Sequence, residues 1–150
     1  MTEREIIDQI LSQKHIAVAG VSRDQRKFGA IVYKQLAKNG YRVYPINPNM
    51  EEYAEVKCYP DVMSLPAEVT VLVTVTKPEV TRGLVQQAAV KGLNYVWMQQ
   101  GSESKDAITA AEAAGIHLIS KKCIMMFAEP VKSVHAFHRF LSKLFGRYPN

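Results

Sequence analysis

Gly20, Val21 and Ser22 stand where a short apolar run, His15 to Ala19, ends and a helical pattern begins a few residues later. The stretch Ile16-Ala17-Val18-Ala19-Gly20-Val21-Ser22-Arg23-Asp24-Gln25-Arg26-Lys27-Phe28-Gly29 therefore reads as strand, turn and helix start. A helix start offers an anion backbone N–H groups without intrahelical partners and the positive end of the helix dipole. Arg23, Arg26 and Lys27 add cationic side chains beside it. Gly20 and Gly29 lack a Cβ, so a ligand or a neighbouring backbone can come close. The chemistry implied is the binding of a phosphate-bearing ligand.

The elements that must position this loop recur along the chain. Thr2 and Glu5 form a capping box ahead of Ile6, Ile7, Ile10 and Leu11 at helical spacing. Phe28, Ile31, Val32 and Leu36 mark a helix face that stops at Asn39-Gly40, and Tyr41 to Ile46 reads as a second strand ended by Asn47-Pro48. Lys57-Cys58-Tyr59-Pro60 reads as extended, and the Val- and Thr-rich run Val69 to Val75 as a strand covered on both faces. Thr76 is expected to cap the next helix with Pro78 in its first turn, Glu79 completing the box and Val80, Leu84 and Ala88 buried. Tyr95 to Met98, an Ala-rich helix from Ser104 to Ala114, and Ile116 to Ile119 follow.

Strands alternating with helices of about 10–15 residues predict an α/β, Rossmann-like doubly wound sheet of about five parallel strands with helices on both faces. Counting those five in chain order, the expected arrangement is 3-2-1-4-5, with ligands outside the carboxyl ends of the strands. Those ends carry Gly20-Val21-Ser22, Asn47-Pro48, Val75-Thr76-Lys77 and Gln100-Gly101.

Two common phosphate ligands fit poorly. The dinucleotide fingerprint G-x-G-x-x-G is absent, since Gly20 is followed by Ser22 where glycine is required. The second strand ends in Pro45-Ile46-Asn47-Pro48, without the acid that would hold ribose hydroxyls or the arginine that would hold a 2′-phosphate. No glycine-rich P-loop precedes a Gly-Lys-Ser/Thr.

Ile16 to Ser22 with Lys27 and Gly29, Val43-Tyr44-Pro45-Ile46-Asn47-Pro48, and Lys57-Cys58-Tyr59-Pro60 together resemble the CoA-binding domain of ADP-forming acyl-CoA synthetases. Succinyl-CoA synthetase alpha subunits share the pattern more distantly, and small stand-alone CoA-binding proteins of this fold match it best, over roughly residues 10 to 128. The resemblance implies coenzyme A or an acyl-CoA as ligand. Gly20, Val21 and Ser22 would hold the diphosphate through backbone amides and the Ser22 hydroxyl. Lys27, with Arg23 or Arg26, would face phosphate charge beside Phe28 and Gly29, and Asn47 and Pro48 would border the nucleotide. Val75, Thr76 and Lys77 match the segment lining the adenine end, Gln100 and Gly101 lie near the pantetheine, and Cys123 falls beside a cysteine position in the loop after the fifth strand. The synthetases also need a second domain with a phosphorylated histidine, and none of the four histidines here stands in such a context. The expectation is binding without turnover. Its alternatives are an NAD(P)-binding oxidoreductase-like protein with an atypical phosphate loop, and a protein that binds partners through its C-terminal helix.

The charge is uneven. Residues 1–120 hold 13 basic and 13 acidic side chains, whereas residues 121–150 hold six basic residues against Glu129, which gives the net +5. The basicity therefore describes a tail and gives no support to nucleic acid as a partner of the fold. In that tail Val131, Val134, Phe137, Leu141, Leu144 and Phe145 form an apolar stripe, predicting an amphipathic helix over about 130–146. It would pack on its own domain, or meet a second copy, an anionic partner or a membrane surface. The 150 residues are expected to form one domain. No apolar run approaches the ~20 residues of a membrane span, and the charged start does not read as a secretory signal. Cys58 and Cys123 match no metal spacing, and no metal site is expected; reduced thiols in a cytoplasmic protein are the expectation. Lys121 and Lys122 beside Cys123 raise one sharper idea, a thiolate held near the thiol of bound CoA.

Overall fold

A computed structural model describes residues 1–128, and the helix expected at about 130–146 lies outside them. The chain starts with the anticipated capping box. Thr2 Oγ1 accepts from the Glu5 N–H at 3.2 Å, and the Glu5 carboxylate accepts from the Thr2 N–H at 2.7 Å, opening α1 (Glu3–Ser12). Then follow β1 (His15–Ala19), α2 (Phe28–Lys38), β2 (Arg42–Ile46), the short antiparallel pair β3 (Glu52–Tyr53) and β4 (Val56–Lys57), and β5 (Val71–Thr74). The remaining elements are α3 (Pro78–Lys91), β6 (Tyr95–Gln99), α4 (Lys105–Ala113), β7 (His117–Lys122) and a 3-10 turn at Ile124–Met126.

The principal sheet is parallel throughout, in the order β2-β1-β5-β6-β7. Its residues alternate between two cores. Ile16, Val18, Val71, Val73 and Trp97 face α1, α2 and the segment from Cys123 to Ala128. Ala17, Ala19, Leu72, Val96 and Met98 face α3 and α4. Both faces being covered explains why β5, Val71 to Thr74, is buried at every position. Each fully buried Ile, Leu or Val side chain contributes about 1.5–3 kcal/mol, so this two-sided sheet is the main source of rigidity beneath the cleft.

The strand order corrects the one expected from sequence. Counted among five, the strands run 2-1-3-4-5, because the Val71–Thr74 strand pairs with β1 rather than with the outer edge of β2. That outer edge is taken by one residue of the extended Cys58-Tyr59-Pro60 segment: the Tyr59 N–H donates to the Pro45 carbonyl at 2.8 Å, and the Asn47 N–H donates to the Tyr59 carbonyl at 2.9 Å. Tyr59 pairs the carboxyl end of the β2 edge, and β5 takes the centre beside β1.

The start of α3 is a second correction. Its N-cap is Lys77, without a side-chain cap bond, and Thr76 bonds Thr81 instead. Val80 is half exposed, and the buried stripe is Thr81, Leu84, Val85 and Ala88. Among the described residues no helix is long and apolar enough to cross a membrane.

Candidate functional site

The two glycines of the first loop let backbone meet backbone. Gly20 has φ +100°, and a Cβ there would run into the Val75 carbonyl; a Cβ on Gly29 would run into the Gly20 carbonyl. Residue 20 must therefore be small and left-handed, and residue 29 must be bare, for α2 to begin against the end of β1. The Gly20 N–H donates to the Ile46 carbonyl at 3.3 Å, and the Val75 N–H to the Ala19 carbonyl at 2.8 Å.

Side chains complete the loop. The Ser22 hydroxyl accepts from the Asp24 N–H at 3.1 Å, the turn role open to any serine here. Asn47 joins the loops after β1 and β2: its Nδ2 donates to the Val21 carbonyl at 3.0 Å, while its Oδ1 accepts from the Asn49 N–H at 2.8 Å. Tyr53, whose hydroxyl donates to the Ser22 carbonyl at 2.8 Å, braces the loop from the β3–β4 pair. Arg26 folds back on Asp24, with Nε and Nη2 each 3.1 Å from a carboxylate oxygen. The Arg26 guanidinium and then its backbone N–H hold the Asp24 carboxyl below the usual carboxylate range.

Two cavities open at the carboxyl ends of the strands. One, of about 280 Å³, is lined by Gly20, Ile46, Asn47, Pro48, Thr76 and Leu84 among others. The second, of about 390 Å³, is lined by Phe28, Val75, Thr76, Lys77, Gln100 and Gly101 together with Pro78, Gln99 and Ser102. Thr76 belongs to both. α2 and α3, whose first residues adjoin these cavities, have lysine at the N-cap and no side-chain cap bond, whereas Thr2 and Ser104 cap α1 and α4. Uncapped helix starts keep N–H groups available to an anion; α3 offers fewer than α2 because Pro78 has none, and its Val80 N–H already bonds the Lys77 carbonyl at 2.9 Å.

The sequence-derived site residues thus separate into groups. Gly20, Asn47, Pro48, Phe28, Val75, Thr76, Lys77, Gln100 and Gly101 line the two cavities. Val21, Ser22, Lys27 and Gly29 form the loop and helix start between them. Arg23 points elsewhere, into a cavity of about 620 Å³ between α2 and the β3–β4 pair, beside Tyr33 and Tyr53. Arg26 is committed to Asp24. Cys123 is buried at 8% exposure and receives a hydrogen bond from Gln99 Nε2 at 3.4 Å. Burial pushes both the Cys123 and the Cys58 thiol up, which disfavours the thiolate that Lys121 and Lys122 suggested.

Sequence reasoning missed a run of hydroxyls behind the cleft. Thr74, Ser102 and Thr81 are buried and bonded in series, and Thr81 reaches Thr76. A threonine at position 81, on the same helical face as Leu84, Val85 and Ala88, is the signal that could have exposed it. Gln99 was missed as well; it is 1% exposed, with Oε1 accepting from the Ile124 N–H at 2.7 Å.

A doubly wound parallel sheet with glycine-tight loops and a divided cleft at its carboxyl edge defines a Rossmann-like domain. Comparison narrows this. Residues 14–129 match the CoA binding domain family, and the chain belongs to that family. It is 31% identical over 130 residues to the alpha subunit of the ADP-forming acetate–CoA ligase II of Pyrococcus furiosus, covering 79% of this chain and 28% of that subunit. A solved structure of a Pyrococcus horikoshii protein superposes with a TM-score of 0.78 at 36% identity, over 83% of this chain and 88% of that one. The Bacillus subtilis protein YneT is 24% identical over 82% of this chain and 91% of its own length. The chain spans only 11–28% of the length of the curated ligases it matches.

Proposed function

We propose that this protein binds coenzyme A or an acyl-CoA in the cleft at the carboxyl edge of its sheet, without turning it over. The observation that carries the proposal is the pair of cavities flanking two uncapped helix starts and sharing Thr76, in a chain of the CoA binding domain family. The diphosphate sits over the Gly20–Ser22 loop and the start of α2, with Lys27 as countercharge. The nucleotide occupies the cavity bordered by Asn47 and Pro48, with Val75, Thr76 and Lys77 toward its adenine end, and the pantetheine arm runs past Phe28 toward Gln100 and Gly101. Arg23 and Arg26 take no part unless their side chains move, since one faces another cavity and the other is paired.

Binding without turnover is supported by where the reactive groups of the described residues lie. His15 and His117 begin β1 and β7, at the sheet edge opposite the cleft. Both thiols are held toward the protonated form by burial. The role is then to hold or present a CoA species, in the cytoplasm, for a partner enzyme.

The test is isothermal titration of the protein with CoA, dephospho-CoA, NAD and NADP in one reducing buffer. Saturable binding of CoA is expected, weakened by Lys27→Ala by about 3- to 10-fold, the usual scale of one charged contact at a partly exposed site. Tighter binding of NADP, or no heat from any of the four, would overturn the proposal.

A further inference from the structure

Thr76 stands where the two cavities meet, and the hydroxyls behind it determine which way its proton points. Thr74 Oγ1 lies 2.6 Å from Ser102 Oγ, Ser102 Oγ 2.9 Å from Thr81 Oγ1, and Thr81 Oγ1 2.8 Å from Thr76 Oγ1. Thr81 Oγ1 is also 3.1 Å from the Lys77 carbonyl, one helical turn back. A hydroxyl has one proton and two lone pairs, and a carbonyl can only accept. The arrangement in which all four contacts are hydrogen bonds has Thr81 donating to Lys77 O, a carbonyl that also accepts from the Val80 and Thr81 N–H groups, and accepting from both hydroxyl neighbours. Ser102 donates to Thr81, Thr74 donates to Ser102, and Thr76 donates inward to Thr81. Four protons make four bonds. Thr74 and Thr81 are 0% and Ser102 3% exposed, so water does not compete for these partners.

With its proton turned inward, Thr76 shows only lone pairs to the cleft. We propose that Thr76 is the specificity residue of this cleft, an obligate acceptor that selects a ligand N–H and disfavours an anionic oxygen at the junction of the two cavities. This rests on the coenzyme A proposal. Coenzyme A offers such a donor from two places, the amides of the pantetheine arm and the amino group of the adenine.

The experiment titrates wild type, Thr76→Val and Thr76→Ser with CoA, with 3′-phospho-ADP, which lacks the pantetheine arm, and with its inosine counterpart, which also lacks the amino group. Valine keeps the shape and removes the acceptor, and should weaken binding by about 3- to 10-fold. Serine keeps the hydroxyl and should hold affinity within about twofold of wild type. Loss confined to CoA assigns the donor to a pantetheine amide. Loss for CoA and 3′-phospho-ADP, with the inosine compound unchanged, assigns it to the adenine amino group. An equal loss for all three ligands, or no loss for any, overturns the proposal. If wild type binds none of them, the coenzyme A proposal itself falls, a result separable from every outcome of the variants.

Discussion

The two walls of the cleft are held by different kinds of interaction. Around Gly20 and Gly29, β1, α2 and the end of β5 meet backbone to backbone, and Asn47 pins the neighbouring loop to the Val21 carbonyl. Across the cleft, β5, α3 and the loop after β6 meet through side-chain hydroxyls from Thr74, Thr76, Thr81 and Ser102. Backbone contact tolerates no added atom, because a close-packed carbonyl cannot move without moving its element. A hydroxyl chain tolerates small changes of shape but not of hydrogen-bonding capacity, because each member depends on the proton of the next. The first wall fixes the backbone shape of the cleft, and the second lines it with hydroxyls.

Substitutions can break that contrast. The largest effect is expected from Gly29→Ala, whose methyl would enter the Gly20 carbonyl: about 3 kcal/mol of stability or outright failure to fold, read by urea denaturation. Gly83→Ala is the control. Nothing lies within 4 Å of a Cβ at this exposed position inside α3, so it should stabilise by about 0.5–1 kcal/mol. Stabilisation by both would show that the first wall is not tightly packed.

On the second wall, Ser102→Ala leaves Thr74 and Thr81 short of a buried partner and should cost about 1–3 kcal/mol. A loss below the error of the denaturation curve would mean that the hydroxyls are not acting as a unit. Asn47→Ala removes one donor and one acceptor from a half-buried side chain. It should lower stability by about 1 kcal/mol and weaken CoA as well.

The smallest effects belong to titration. Burial raises both thiols, so their folded-state pKa lies above the unfolded one. Their contribution is fully present below the unfolded thiol pKa and is lost as pH climbs through the folded one, so stability should fall on the alkaline side. Cys58→Ser with Cys123→Ser should flatten that decline. Asp24 has the opposite sign: its depressed carboxyl contributes above the unfolded pKa and loses that contribution as pH falls through the folded pKa. The Asp24–Arg26 pair is exposed, so Arg26→Gln should leave acid denaturation almost unchanged.

Much of the first wall was legible in the residues. An apolar run closing on Gly20, then a helical period from Phe28, signals a strand-loop-helix unit, and Asn47-Pro48 signals its neighbour. The second wall was not legible. Thr74, Thr81 and Ser102 are separated by up to 28 positions and come together only when β5, α3 and the loop after β6 pack. Threonine at position 76 looked like a cap because caps are local, and the partner that took its hydroxyl, Thr81, is a tertiary choice between two threonines five residues apart. The strand order failed for a related reason, since nothing local shows that Tyr59 alone would cover the edge of β2.

Sequence by itself determined the α/β alternation, the parallel sheet, the capping box at Thr2 and the loop at Gly20, because period, caps and glycine positions are properties of neighbouring residues. Only the tertiary structure decided that Gly29 faces the Gly20 carbonyl, that Arg23 lines a separate cavity, that Cys123 is buried and that Thr76 bonds Thr81. Each of these depends on which elements become neighbours across the sheet. Long-range packing, through steric exclusion and the demand that buried polar groups be paired, makes that selection.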